Sequence, residues 1–310
     1  MKKNPLVLLL SISAGFFVLF LLFVYFAMNS FIHEGSQNAL LSRGGTSIAV
    51  ISLNGVIMDS TKILKQLETF EEDSSIKGII LRINSPGGAV APSQEIHDAV
   101  LRVRKSKPVV ASFESLAASG GYYVAVACDK IVTNPGTMTG SIGVIMDFTN
   151  LGDLYKWAKV ERFNIKSGKM KDFGSENRPM TAEEKAFGQE LVNNVYLQFV
   201  HAVSVGRKLP EEKVKELADG RVYTGEQAFK FGLADKLGGI DVAKEEMKAL
   251  AKIKGKINLV YPEVKHKGVL ELLGSGAAEG LMHSFFEQLG PQLQEGLQHG
   301  FSNSKSLYFL

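Results

Sequence analysis

Hydrophobic and polar positions divide the chain into regions of different character. From Pro5 to Met28 the residues are almost wholly Leu, Val, Phe and Ile, and no charged residue lies between Lys3 and His33. A bilayer core needs about 20 apolar residues as helix, whereas the apolar core of a cleaved signal peptide runs roughly 7 to 15. The stretch therefore predicts a membrane anchor over residues 1–33, with one N-terminal transmembrane helix. A signal sequence cleaved near Ala27 to Ser30 is the alternative, and a buried core helix fails because no polar face exists. Lys2 and Lys3 precede the stretch and no basic cluster follows it, which predicts an N-terminus in the cytoplasm and the rest of the chain outside.

Residues 34–46 are polar and glycine-rich, as in a linker. Beyond them short apolar runs alternate with amphipathic stretches. Strands are predicted over 47–53, 78–83, 108–113, 130–133, 142–146 and 160–165. Helices are predicted over 60–73, 93–105, 181–207, 210–219, 224–231 and 240–253, and a late strand over 257–261. Thr181-Ala-Glu-Glu184 carries the signature of a capping box. This alternation is that of an α/β fold with a parallel or mixed sheet under helices. It places a folded domain over 47–265 and leaves 266–310 as a helical segment ending in an apolar tail, Ser306 to Leu310.

Composition narrows the function classes. The chain has 310 residues, and its formal net charge of +3 is spread among acidic residues, so no nucleic-acid footprint is present. The single cysteine, Cys128, excludes an internal disulfide and lies in an apolar run that suggests an inert buried thiol. The six histidines, at 33, 97, 201, 266, 283 and 299, show no metal-ligand spacing. Neither a metal nor another cofactor is expected.

The candidate chemistry lies elsewhere. Asn84-Ser-Pro-Gly-Gly88 follows a predicted strand and precedes a helix, where paired glycines can turn backbone N–H groups toward an anion or simply make a turn. Ser119 sits among small residues in Ala117-Ala-Ser-Gly-Gly121, between a strand and a helix, so its hydroxyl could face a cleft and the Gly120 N–H could meet a developing oxyanion. Tight helix packing is the other explanation of such a run. A serine nucleophile needs a base. No histidine occurs between His97 and His201, and His97 lies on a helix ahead of the serine. The segment Ile165-Lys-Ser-Gly-Lys-Met-Lys-Asp172 offers lysines instead. A lysine acts as base only when neutral, which requires a pKa near ~7 to 8 against about 10.4 in water.

Taken in order, these motifs, together with Thr139-Gly-Ser-Ile-Gly-Val144 and Asp219-Gly-Arg-Val-Tyr-Thr-Gly225, are similar to those of the signal peptide peptidase SppA family in its short, single-domain form. The resemblance implies a Ser/Lys peptidase with Ser119 as nucleophile and Lys171 as general base, supported by Lys166 and Lys169. It implies oxyanion donors at the N–H groups of Gly88 and Gly120, and Ser141 as the hydroxyl that hydrogen-bonds the base. It implies a ClpP/crotonase-like fold of stacked β-β-α turns with outer helices. It also implies a homo-oligomeric ring or dome with sites facing a concave interior and neighbouring subunits contributing to each. Substrates would be apolar peptides, cleaved signal peptides among them, met at the outer face of the cytoplasmic membrane. Val90 and Met146 are expected to line the substrate pocket. Two other readings stay open: a crotonase-type acyl-CoA enzyme, using the same oxyanion hole without a serine nucleophile, and a non-catalytic membrane scaffold.

Overall fold

The computed structural model describes residues 45–262 and, outside that range, Leu19. The apolar stretch expected to span a membrane, most of the linker and the C-terminal segment lie outside the described residues. Among the described residues no helix is long and apolar enough to cross a membrane.

Three parallel strands form the centre: β1 (Thr46–Asn54), β2 (Ile76–Ser85) and β3 (Val109–Ala118). Their runs Ile48–Ile51, Ile79–Leu81 and Val109–Ala111 are fully or almost fully buried. Parallel strands covered on both faces read as continuous rather than alternating apolar stretches, which is why the sequence pattern locates them. Register sets Val50 beside Ile80, and Ile79 beside Val109. Helices α1 (Thr61–Glu72) and α2 (Val90–Val103) cover one face, burying Leu67, Phe70, Ile96 and Val100 in the larger core. Strand β8 (Ile257–Val260) adds to the free edge of β1, in parallel.

The sheet forks at β3. Its first half pairs with β4 (Lys130–Thr133) and its last three residues with β5 (Met138–Gly140). The fork falls where the β2–β3 register slips, since Ile83 faces Phe113 but Ser85 faces Ala117. From β4 the sheet continues to β7 (Lys236–Leu237), and from β5 to the antiparallel β6 (Val222–Thr224). A second, smaller core on the other face packs Ile48, Val50, Ile80, Val110 and Val132 against Ala243 and Met247 of α8 (Ile240–Leu250).

The remaining helices are α3 (Gly120–Ala125), α4 (Gly152–Trp157), α5 (Ala182–Arg207), α6 (Glu211–Leu217) and α7 (Gly225–Lys230). At the start of α5 the Thr181 hydroxyl accepts from the Glu184 amide and the Glu184 carboxylate from the Thr181 amide, the expected capping box. Two expected strands are absent. Residues 142–146 pair with no strand, because Gly140 (φ 77°) and Ser141 (φ 49°) turn the chain left-handed and end β5 just before them. Residues 160–165 are irregular and exposed.

Candidate active site

Two strand-to-helix turns face each other. The first leaves β2 at Ser85, whose buried hydroxyl donates to the Gly55 carbonyl at 2.6 Å and accepts from the Gly87 amide at 3.1 Å. Residues 55–57 run alongside it: the Ile57 amide donates to the Gly87 carbonyl (2.9 Å) and the Ala89 amide to the Ile57 carbonyl (2.7 Å). The Gly88 N–H, between these bonds, takes part in no turn or loop hydrogen bond among the described residues. Glycine is required there, for a Cβ would lie 2.2 Å from the Ile57 carbonyl oxygen.

The second turn joins β3 to α3 through Ser119, at φ 51° and ψ −121°. This is a conformation that L side chains resist and that surrounding bonds must hold. The Ser119 amide donates to the Gly140 carbonyl at 2.9 Å, and the Ser119 carbonyl accepts from the Tyr123 amide at 2.8 Å. The two turns touch. A Cβ on Gly120 would lie 3.3 Å from the Gly88 nitrogen and 2.5 Å from the Ser93 hydroxyl, so a side chain there would displace Ser93 and crowd the Gly88 turn. Gly87, Gly88 and Gly120 therefore pack against one another next to the Ser119 side chain. Amide donors beside a hydroxyl can stabilise the oxyanion that forms when the hydroxyl attacks a carbonyl.

A cleft of about 670 Å³ opens over this point. Ser119, Gly88, Gly120, Ser141 and Val90 all line it, with Val144 and Ile145 on one side and Val192, Tyr196 and Phe199 of α5 on another. Met146 is not in the lining; its neighbours Val144 and Ile145 take that place, because no strand carries residues 142–146 past the cleft. The contributions of α5 and of Asp219–Gly220 were missed in the sequence. Apolar positions 192, 195, 196 and 199 do repeat at helical spacing, but only the packing of α5 shows that this face borders a cleft.

Lys171 lies apart from these residues. It is exposed, in the turn where its amide donates to the Gly168 carbonyl at 3.1 Å, and it is not in the cleft lining. The three lysines of the segment differ in their partners. Lys166 is ion-paired with Asp172, and Lys169 with Glu183. Lys171 has no ion pair among the described residues. The Lys166 ammonium beside Asp172, reinforced by Arg178, holds the Asp172 carboxyl below its ordinary range.

His97, the other candidate base, is buried on α2, bonded to Asp98 at 2.9 Å and packed on Tyr123 with ring centroids 4.8 Å apart. It borders a neighbouring groove rather than the Ser119 cleft; Tyr123 borders both. Among the described residues no group of three or more His, Cys, Asp or Glu is placed to hold a metal ion. Burial pushes the Cys128 thiol up, far from a reactive thiolate.

Comparison with known proteins gives this geometry a family. Residues 102–254 match the model of peptidase family S49, and residues 46–138 that of Clp protease. A protein assigned as a protease in Synechocystis sp. is 44% identical over 206 residues, covering 66% of this chain and 74% of the relative. A protein of Enterococcus faecium assigned as signal peptide peptidase SppA is 35% identical over 282 residues, 84% of this chain and 80% of the relative. Protease 4 of Salmonella typhi is 34% identical over 221 residues, 68% of this chain and 35% of that longer protein. With a serine at a strained turn, and with the Synechocystis and Enterococcus relatives matched over most of their length, the chain belongs to peptidase family S49 and is a serine-type peptidase.

Proposed function

We propose that this peptidase is a membrane-anchored endopeptidase that cleaves apolar peptides, signal peptides left after secretion among them, with Ser119 as nucleophile and Lys171 as base. The observation that carries this reading is the placement of Ser119 on a left-handed turn beside Gly88 and Gly120. In the reaction neutral Lys171 takes the proton of the Ser119 hydroxyl as its oxygen attacks the peptide carbonyl. The negative charge moves onto the carbonyl oxygen, toward the amides of Gly88 and Gly120. The protonated lysine returns the proton to the leaving amine, and water then hydrolyses the acyl-enzyme. Ser141, at the cleft margin, hydrogen-bonds the lysine and keeps it aimed at Ser119.

Lys171 reaches the cleft from a second copy of the chain. Two features support this. Lys171 is exposed and outside the cleft lining of its own chain, and the segment before it holds Trp157, Phe163 and Ile165 at 80% exposure or more. Large apolar side chains clustered in one segment are seldom left to water unless another surface covers them. The wall of Val90, Ile145, Tyr196 and Phe199 suits apolar side chains of a peptide.

The apolar stretch 5–28, preceded by Lys2 and Lys3, supports anchoring in the cytoplasmic membrane with the catalytic domain outside. The full chain in detergent, given a fluorogenic apolar peptide, tests the chemistry. Turnover is lost in both Ser119→Ala and Lys171→Ala, and retention of turnover in either one sinks the dyad. Alkaline phosphatase fused after residue 46 tests the topology; an inactive fusion places the domain inside.

A further inference from the structure

The motif Asp219-Gly-Arg-Val-Tyr-Thr-Gly225 has no part in the chemistry above, yet it borders the cleft through Asp219 and Gly220. Within it β6 pairs antiparallel with β5, Thr139 opposite Tyr223 and Gly140 opposite Val222. The pairing runs on past both strand ends. The Ser141 amide donates to the Arg221 carbonyl at 2.9 Å, and the Gly220 amide to the Ile142 carbonyl at 3.1 Å. Asp219 closes the end of this ladder. Its carboxylate accepts from the Arg221 amide at 3.1 Å, and each of its oxygens lies 2.8 Å from Arg221 Nε.

On its other side β5 holds the nucleophile, because the Gly140 carbonyl accepts from the Ser119 amide. Ser119 and Ser141 both have left-handed φ values, 51° and 49°, and neither is glycine. Such conformations persist where neighbouring bonds determine them. For Ser141 the bond that does so runs to the carbonyl of Arg221. Tyr223 keeps β6 in place: its ring lies where a Gly140 side chain would be, 2.5 Å from an added Cβ, and its hydroxyl donates to the Leu217 carbonyl at 2.8 Å.

We propose that Asp219 and Arg221 are positioning residues: their ion pair fixes the Arg221 carbonyl, which sets Ser141, and the same strand carries that order to Ser119 through Gly140. The inference rests on the Ser119/Lys171 reading and gives the motif its role in it. A direct role for Asp219 in gripping a cationic substrate side chain fits less well, since Arg221 already matches its charge.

A double-mutant cycle on the full chain in detergent, with a fluorogenic apolar peptide, tests it. Asp219→Ala lowers kcat roughly ten- to a hundredfold with KM within about twofold, the scale on which a misplaced reacting group costs rate. Added to Ser141→Ala, the same change costs less than about threefold more, because two residues acting through one contact do not add. Thermal melting checks the fold. If Asp219→Ala does not fold, Arg221→Ala, which keeps the backbone carbonyl but removes the ion pair, is read in the same way. An unchanged kcat, a raised KM alone, or the full loss repeated in the Ser141→Ala background overturns the proposal. Ser119→Ala and Lys171→Ala run beside these variants. If both are inactive while Asp219→Ala turns over normally, this inference alone fails; if either retains turnover, the dyad reading fails.

Discussion

Gly87 packs so closely on Ser119 that a Cβ added to it would lie 2.8 Å from the Ser119 Cβ and 2.5 Å from the Gly120 nitrogen. Gly87 also sits at φ +95°, where a side chain costs about 1 to 3 kcal/mol. Gly87→Ala must therefore push apart the two turns that present the amide donors. We expect a lower melting temperature and a kcat reduced roughly a hundredfold, the usual scale for losing one oxyanion donor. A variant that melts early but turns over like the wild type would show that the contact serves stability alone.

The lysines of the 166–171 segment separate by function. Lys171→Ala removes the base and lowers kcat by roughly 10⁴-fold or more, as does Ser119→Ala. Lys169→Ala loses a surface ion pair with Glu183, worth at most about 1 kcal/mol, and keeps activity within about tenfold. Because a lysine base works only when neutral, kcat/KM rises with pH until the free enzyme's lysine is deprotonated. A bell whose rising limb vanishes in His97→Ala, with Lys171→Ala active, would assign the base to the histidine instead.

The sequence shows the central sheet because β1, β2 and β3 are covered on both faces and so appear as unbroken apolar runs. It shows the start of α5 because a capping box is local chemistry. Strand β5 is hidden: three residues are too short for a period, and the more apolar run at 142–146 attracts the assignment instead. The serine and the two glycines lie on strand-to-helix turns that could equally be ordinary turns or packing, and it is the resemblance of the ordered motifs that singles them out. The cleft wall is not singled out, since Tyr196 and Phe199 join it only through the packing of a helix that begins more than sixty residues after Ser119 in the chain. The exposed apolar side chains of Trp157, Phe163 and Ile165 mark the limit of pattern reading, which finds surface that avoids water without naming what covers it.

Acid should loosen the support of the lysine segment. Glu184 is buried at the start of α5, where Arg178 holds its carboxyl at about 2 against an ordinary 4.5; Arg178 also reaches Asp172, next to Lys171. A depressed folded-state pKa contributes stability that is complete above the ordinary value and is lost as pH falls through the folded one. The melting temperature of Glu184→Gln should therefore lie below that of the wild type at neutral pH, and the gap should close between pH 4.5 and about 2. A gap of constant size across that range would mean that packing, not charge, is what the carboxylate supplies.

If the base is delivered across a subunit boundary, two inactive proteins should make an active one. Ser119→Ala retains Lys171, and Lys171→Ala retains Ser119. In a closed assembly where each site draws its serine from one subunit and its lysine from the next, random mixing restores both wild-type residues to about a quarter of the sites. The mixture, exchanged in detergent above the dissociation concentration and reassembled, should recover turnover approaching that fraction. Recovery should track assembly, falling when the apolar contact is broken by Phe163→Asp or Ile165→Asp, whose side chains stand 80% and 96% exposed on the single chain. A dyad closed within one chain predicts no recovery at any mixing ratio, because every subunit then lacks one member of its own pair. Zero recovery from assemblies shown by light scattering to have exchanged subunits would place Lys171 and Ser119 on the same chain and require the 166–171 segment to fold over its own cleft.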